Sequence, residues 1–178
     1  MSQPFRFVPA TYGPVVSALV AESRLAALGP GSPEPEVHVE LRRFDPATDL
    51  GKPSRDHDAA RACLAGLWLY FDYLDESHTI SQDLNTSEGS FWHAIMHRRE
   101  PDASNSKYWW RHVGPHPVIS SLISEAPSLG YRYTNPQDFV DLCERVRGAG
   151  TKDEDLARQV QLLEWQLLFD YCYRKAIE

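Results

Sequence analysis

Apolar residues recur at intervals of three and four along most of the chain, which is the spacing of a buried helical face. One stripe predicts a long central helix over about residues 55–78, with its last position at His78. A second stripe, which includes Leu156 and Leu167, predicts the last helix. Similar shorter patterns between them predict an all-α fold, a single helical bundle of six to eight helices.

Residues 36–44 fit two patterns. Val37, Val39 and Leu41 alternate as in a strand, whereas Val37, Leu41 and Phe44 have helical spacing. No second strand is convincing elsewhere, and a lone strand leaves its backbone groups without partners. A short helix is therefore the preferred interpretation, with a strand as the alternative.

A chain of 178 residues is long enough for one domain with a hydrophobic core, so residues 1–178 are predicted to form a single helical domain. Residues 1–12 are expected to form an irregular N-terminal arm. The segments 28–36 and 45–54 contain proline and glycine without apolar periodicity, and they predict loops.

Composition narrows the class of protein. The formal net charge is −7, which makes nucleic acid an unlikely partner because phosphate binding requires a basic surface. The three cysteines are widely spaced and indicate free thiols in a reducing compartment. No secretory signal is recognisable, and the longest apolar run, residues 64–71, is too short to cross a bilayer. A soluble cytoplasmic protein without membrane contact follows by default.

The unusual chemistry is concentrated in residues 72–117. This segment holds five of the seven histidines and three of the five tryptophans. A helix is predicted from Phe91 to about Arg99, with Ser90 as its N-cap and Pro101 directly after its end. Ionisable and aromatic groups in this density indicate a functional site.

His93, His97 and Glu100 lie within about 60° of one another on this helix, so they could bind one divalent transition metal ion. Asp75 and His78 could add ligands from the preceding helix. The alternative is that these histidines pack at a helix edge with their nitrogens hydrogen-bonded. Acid–base or metal-assisted catalysis is accordingly assigned to five candidates: Asp75, His78, His93, His97 and Glu100.

Substrate binding is predicted for the hydrogen-bond donors and aromatic rings of residues 72–117. Arg99 falls within the apolar arc of its helix, so it either pairs with Asp72, Asp75, Glu76 or Asp170 or binds a ligand anion. The aromatic side chains together suit a small polar ring as well as they suit the core, although each tryptophan alone is better explained by the core. The candidates are Trp92, Arg98, Arg99, Asn105, Lys107, Tyr108 and Trp109.

Three blocks, CLAGLWLYFDYLDESHTISQ, SFWHAIMHRREPDASNSKYWWRHVGPHP and EWQLLFDYCYRKA, resemble a family of uncharacterised conserved-hypothetical proteins. The resemblance covers most of the chain after about residue 55. It implies no activity, cofactor or ligand, and it assigns no catalytic residue.

Two functions therefore remain as hypotheses. The first is a pocket that binds or acts on a small polar or anionic molecule through the His, Arg and carboxylate groups of residues 72–117, with possible metal assistance. The second is a non-catalytic helical module for protein interaction or self-association.

Overall fold

The computed structural model describes residues 4–178, and within that range the regular structure is entirely helical, which confirms the all-α prediction. The nine α-helices of this range are α1 (Pro14–Leu19), α2 (Pro35–Arg43), α3 (His57–Tyr70), α4 (Leu74–Ser81), α5 (Ser87–Arg99), α6 (Ala103–Val113), α7 (Pro117–Glu125), α8 (Pro136–Val146) and α9 (Lys152–Ile177). None of these helices is both long and apolar enough to span a lipid bilayer.

Two helices organise the packing. The 26-residue α9 contacts α3, α7 and α8 along its length. Helix α5 is surrounded by α3, α4, α6 and α8, and every residue from Glu88 to Arg99 is buried. Polar side chains on every face of α5 must therefore find partners inside the protein.

The predicted long helix over residues 55–78 is in fact two helices, because α3 ends at Tyr70 and α4 begins at Leu74. Between them Asp72 adopts a left-handed backbone conformation with φ of 67°. Its carboxylate accepts hydrogen bonds from the guanidinium groups of Arg99 and Arg24. The break raises the number of α-helices within residues 4–178 to nine, against the six to eight expected.

The other segments follow the sequence pattern more closely. The ambiguous stretch is helical and forms α2, which begins at Pro35 and so takes up the end of the expected loop 28–36. Residues 45–54 contain turns and no helix. Residues 1–3 of the predicted arm lie outside the described range. The rest of the arm packs on α9, where the Tyr12 hydroxyl donates to Asp170 at 2.9 Å.

Helix α5 begins earlier than expected. The Thr86 hydroxyl, and not Ser90, accepts from a backbone N–H in the first turn, that of Gly89, at 3.1 Å. The buried Glu88 then accepts from Lys175 of α9 at 3.0 Å and lies 3.8 Å from His116. These contacts fix the N-terminal end of α5 against the C-terminal end of α9.

Two buried ion pairs fix the opposite end of α5. The Arg98 guanidinium donates to Glu164 of α9 at 2.5 Å, and both side chains are fully buried. The Arg99 guanidinium pairs with Asp72 and also donates to the carbonyls of Leu69 (2.8 Å) and Gly29 (3.1 Å). Arg99 thereby joins α5, the end of α3 and the loop before α2.

Replacing Asp72 with asparagine should destabilise the protein by about 3 kcal/mol or more, because Arg99 is left buried without a counter-charge. Asparagine tolerates the left-handed conformation, so the change acts mainly on charge. Urea unfolding measures the loss. The control is Asp141→Asn, which breaks the surface pair with Lys107 and should cost at most about 1 kcal/mol. Equal midpoints for the two variants would contradict this assignment.

The pH dependence of stability should carry the contribution of Glu88. Burial alone raises the pKa of this carboxyl, but His116, its own backbone N–H and Lys175 lower it to about 2. The pKa of Glu88 is depressed in the folded state. The stabilisation that the ionised Glu88 gives to the folded protein is therefore present above about pH 4.5 and is lost as the pH falls towards 2.

The variant Glu88→Gln removes this titration. Between pH 5 and pH 3 the wild type should lose roughly 1–2 kcal/mol more unfolding free energy than the variant. Urea titrations at the two pH values measure the difference, and parallel losses would show that Glu88 does not contribute.

Candidate metal centre

Three histidines from two helices meet between α4 and α5. His78 comes from α4, while His93 and His97 lie one turn apart on α5. One nitrogen from each ring lies within 4.8 Å of the others, an arrangement that could hold a metal ion. Tetrahedral coordination by imidazole places nitrogens about 3.3 Å apart, so binding requires a small inward movement of the rings.

The surroundings of His93 are unusual for a buried imidazole. Its side chain is only 2% exposed, yet neither ring nitrogen has a hydrogen-bond partner. Burial, together with the neighbouring His97 and His78, lowers the pKa of His93 to about 3. The ring is therefore neutral at physiological pH and carries a lone pair, which is the form that binds metals.

Aromatic packing holds the His93 ring in place. Trp109 of α6 stacks on it with a centroid separation of 3.9 Å and an interplanar angle of 18°. His97 lies on a nearly parallel plane with its centroid 4.7 Å from that of His93. The ring of His78 meets both at angles near 80°, with centroids 4.7 and 5.4 Å away. The three rings thus have restricted orientations.

His97 differs from His93 because its nitrogens have polar neighbours. Its Nδ1 lies 2.9 Å from the Glu100 carboxylate. The amide nitrogen of Asn105 is 3.1 Å from Nε2 and 3.3 Å from Nδ1. Burial lowers the pKa of His97, while Glu100 acts in the opposite direction, and the net shift is downward.

No family model matches the chain, and no curated protein or solved structure gives a match. The chemistry of the centre must therefore be inferred from its own geometry. Three imidazoles in one cluster suit ions such as zinc, copper, nickel or iron better than magnesium or calcium, which prefer oxygen ligands.

Glu100 lies beside His97, as predicted, but the cluster of potential ligand atoms consists of the three histidines. It is the C-cap residue directly after α5, and it precedes Pro101, whose φ is 29°. From there its carboxylate reaches the Nδ1 of His97, and the third nitrogen of the cluster comes from His78. Glu100 therefore contacts one ring nitrogen of His97, which is itself a potential metal ligand.

The two arginines predicted to bind substrate face away from the histidines. At 100° per residue, Arg98 and Arg99 lie about 140° and 240° around α5 from His93. Their guanidinium groups are paired with Glu164 and Asp72 and are at most 2% exposed. Both side chains therefore stabilise the fold. For Arg99 this is the first of the two predicted roles, an ion pair with an acidic residue.

The remaining candidates are divided between the core, the surface and the cluster. Trp92 is fully buried, and its indole packs so closely on Gly66 that a Cβ there would lie 2.6 Å from the ring. Lys107 pairs with Asp141. Tyr108 is 45% exposed and packs edge-on to Trp109. Of the predicted substrate residues, Asn105 contacts His97 and Trp109 stacks on His93 of the cluster.

Carboxylates lie on one side of the cluster. A surface groove of about 340 Å³ is lined by Asp75, Glu76 and Glu100, among other residues, and its lining includes none of the three histidines. Glu100 connects this groove to His97, and Asp102 adds a further negative charge near that ring. The local field attracts cations, which favours a metal ion over the anionic ligand predicted from Arg98, Arg99 and Lys107.

His93→Phe should raise the unfolding free energy of the metal-free protein by roughly 0.5–1.5 kcal/mol. The phenyl ring keeps the stacking on Trp109 and removes two buried nitrogens that lack partners. The contrasting variant His97→Phe should lower stability, because it leaves Asn105 and Glu100 without their partner. Chemical denaturation in the presence of a chelator measures both. Destabilisation of similar size in both would contradict the account.

Proposed function

We propose that this protein binds one divalent transition metal ion of the zinc class through His78, His93 and His97. The observation that supports the proposal best is His93, a buried neutral imidazole without a hydrogen bond at either nitrogen, beside two further imidazoles. A buried polar group without a partner calls for an explanation, and a ligand is one. Other buried side chains among residues 4–178 lack a partner at a single atom, whereas His93 lacks one at both nitrogens.

A centre with three protein ligands resembles catalytic metal sites more than structural ones. Structural zinc is held by four protein ligands, whereas catalytic zinc leaves one position for water or substrate. The metal would lower the pKa of a bound water and so supply a nucleophile at neutral pH. The proposed function is therefore a metal-assisted reaction on, or binding of, a small polar molecule at the position that the three histidines leave open.

The charges around the cluster favour entry of the metal ion itself. The cationic groups Arg98, Arg99 and Lys107 are paired with Glu164, Asp72 and Asp141, while Glu100 and Asp102 lie near His97. A divalent ion held by three neutral imidazoles would bring its own double positive charge, which outweighs either carboxylate alone. The proposal therefore covers small polar molecules without restricting their charge.

The alternative function, a protein-interaction or self-association module, would be favoured by a continuous exposed apolar surface. Within residues 4–178, the large apolar side chains that are exposed belong to four separate segments of the chain: Val8, Val39, Tyr108 and Ile123. No observation in the described part of the chain therefore favours this function over the metal centre.

Zinc titration by calorimetry tests the proposal on protein prepared without an affinity tag and stripped with a chelator. The wild type should bind one equivalent. His78→Ala should weaken binding by more than the roughly 10- to 100-fold that loss of an outer-shell partner costs. The matched control is His57→Ala, which removes an exposed histidine outside the cluster and should bind as the wild type does.

Two outcomes of this titration would contradict the proposal. If the wild type binds no zinc, copper or nickel, or if His57→Ala and His78→Ala bind equally well, the three-histidine centre does not exist. Magnesium and calcium serve as negative controls in the same titration, because an imidazole cluster does not provide the oxygen ligands that they require.

A further inference from the structure

Glu100 is placed to act on the metal through His97. Its Oε2 lies 2.9 Å from the Nδ1 of that ring, a normal hydrogen-bond distance. A carboxylate only accepts hydrogen bonds, so Nδ1 must carry the proton. The lone pair of a neutral His97 then lies on Nε2, on the other side of the ring.

We propose that Glu100 is a positioning residue of the metal centre, which fixes His97 in the tautomer whose Nε2 is free to bind the ion. This inference rests on the proposed metal-binding function. Metal-binding histidines commonly donate their second ring N–H to a carboxylate, which orients the ring and makes the other nitrogen more basic.

Asn105 adds to the same arrangement. Its amide nitrogen lies 3.1 Å from Nε2 and 3.3 Å from Nδ1. With the proton on Nδ1, the lone pair to which this amide can donate in the metal-free protein is the one on Nε2. An ion at Nε2 takes the place of this hydrogen bond, and the amide must turn away. Glu100 is not displaced, because it contacts the opposite nitrogen. The carboxylate therefore holds His97 both before and after binding.

The location of Glu100 allows its role to be separated from folding. Its side chain is 49% exposed, and Glu100 directly follows the last residue of α5. Exposed ion pairs contribute at most about 1 kcal/mol to stability. A purely structural role for the contact would therefore alter the melting temperature slightly and leave metal affinity unchanged.

The test compares the wild type with Glu100→Gln and with a matched control, Glu76→Gln. Glu76 carries the same carboxylate in the same groove, but it pairs with His38. Two measurements are made: the imidazole tautomers of the metal-free proteins, from ¹⁵N nuclear magnetic resonance, and zinc affinity by calorimetry.

In the wild type and in Glu76→Gln, His97 should carry its proton on Nδ1. In Glu100→Gln this preference should be lost, because an amide can donate to Nδ1 as well as accept from it. Zinc affinity should fall roughly 10- to 100-fold in Glu100→Gln and remain unchanged in Glu76→Gln.

Wild-type affinity in Glu100→Gln, or a wild-type His97 with its proton on Nε2, would overturn the role of Glu100 and leave the metal centre standing. Equal losses in both variants would reduce the effect to general charge attraction, which also overturns it. A wild type that binds no zinc refutes the metal centre itself and this inference with it.

Discussion

The setting of α5 depends on two buried ion pairs at its C-terminal end. Arg98 pairs with Glu164 on one side, and Arg99 pairs with Asp72 on another. A buried charge without its partner costs several kcal/mol, so neither guanidinium can leave its carboxylate. Rotation of α5 about its own axis would break both pairs together. The pairs therefore fix which side of the helix faces α4, and the side left over carries His93 and His97. The face of Phe139, 4.7 Å from the Arg98 guanidinium, completes this packing.

His93 differs from the other buried ionisable residues of α5. Single nitrogens without a partner also occur at Trp92 and Arg98, but His93 lacks a partner at both of its nitrogens. Arg98, Arg99 and Glu88 are all buried, and all have charged partners. His93 is buried to the same degree and has no hydrogen-bond partner. A protein that satisfies its other buried ionisable groups on one helix, and leaves an imidazole beside two more, gives up stability at that point. Such local violations are typical of functional sites, because binding a ligand supplies the missing interaction.

The sequence predicts the helical class well because the apolar spacing is set locally, and signals such as Asn135 before Pro136 mark helix starts correctly. The break at Asp72 was not predictable from this spacing. The apolar stripe continues in phase through Phe71 and Leu74, whereas the turn is held by Arg99, which lies 27 residues further along the chain. For the same reason His78 was a candidate ligand only in general terms, since its direction depends on the separate helix α4. Helical spacing correctly places Glu100 beside His97, but it does not indicate which ring nitrogen the carboxylate contacts.

The three-histidine centre is defined by the atoms that surround a bound ion. The most direct measurement is the X-ray absorption spectrum at the zinc K-edge of protein loaded with one equivalent of zinc. Three imidazole nitrogens at about 2.0–2.1 Å and one further oxygen are predicted. A first shell of oxygens alone, or one that contains sulfur at about 2.3 Å, would contradict the three-histidine centre.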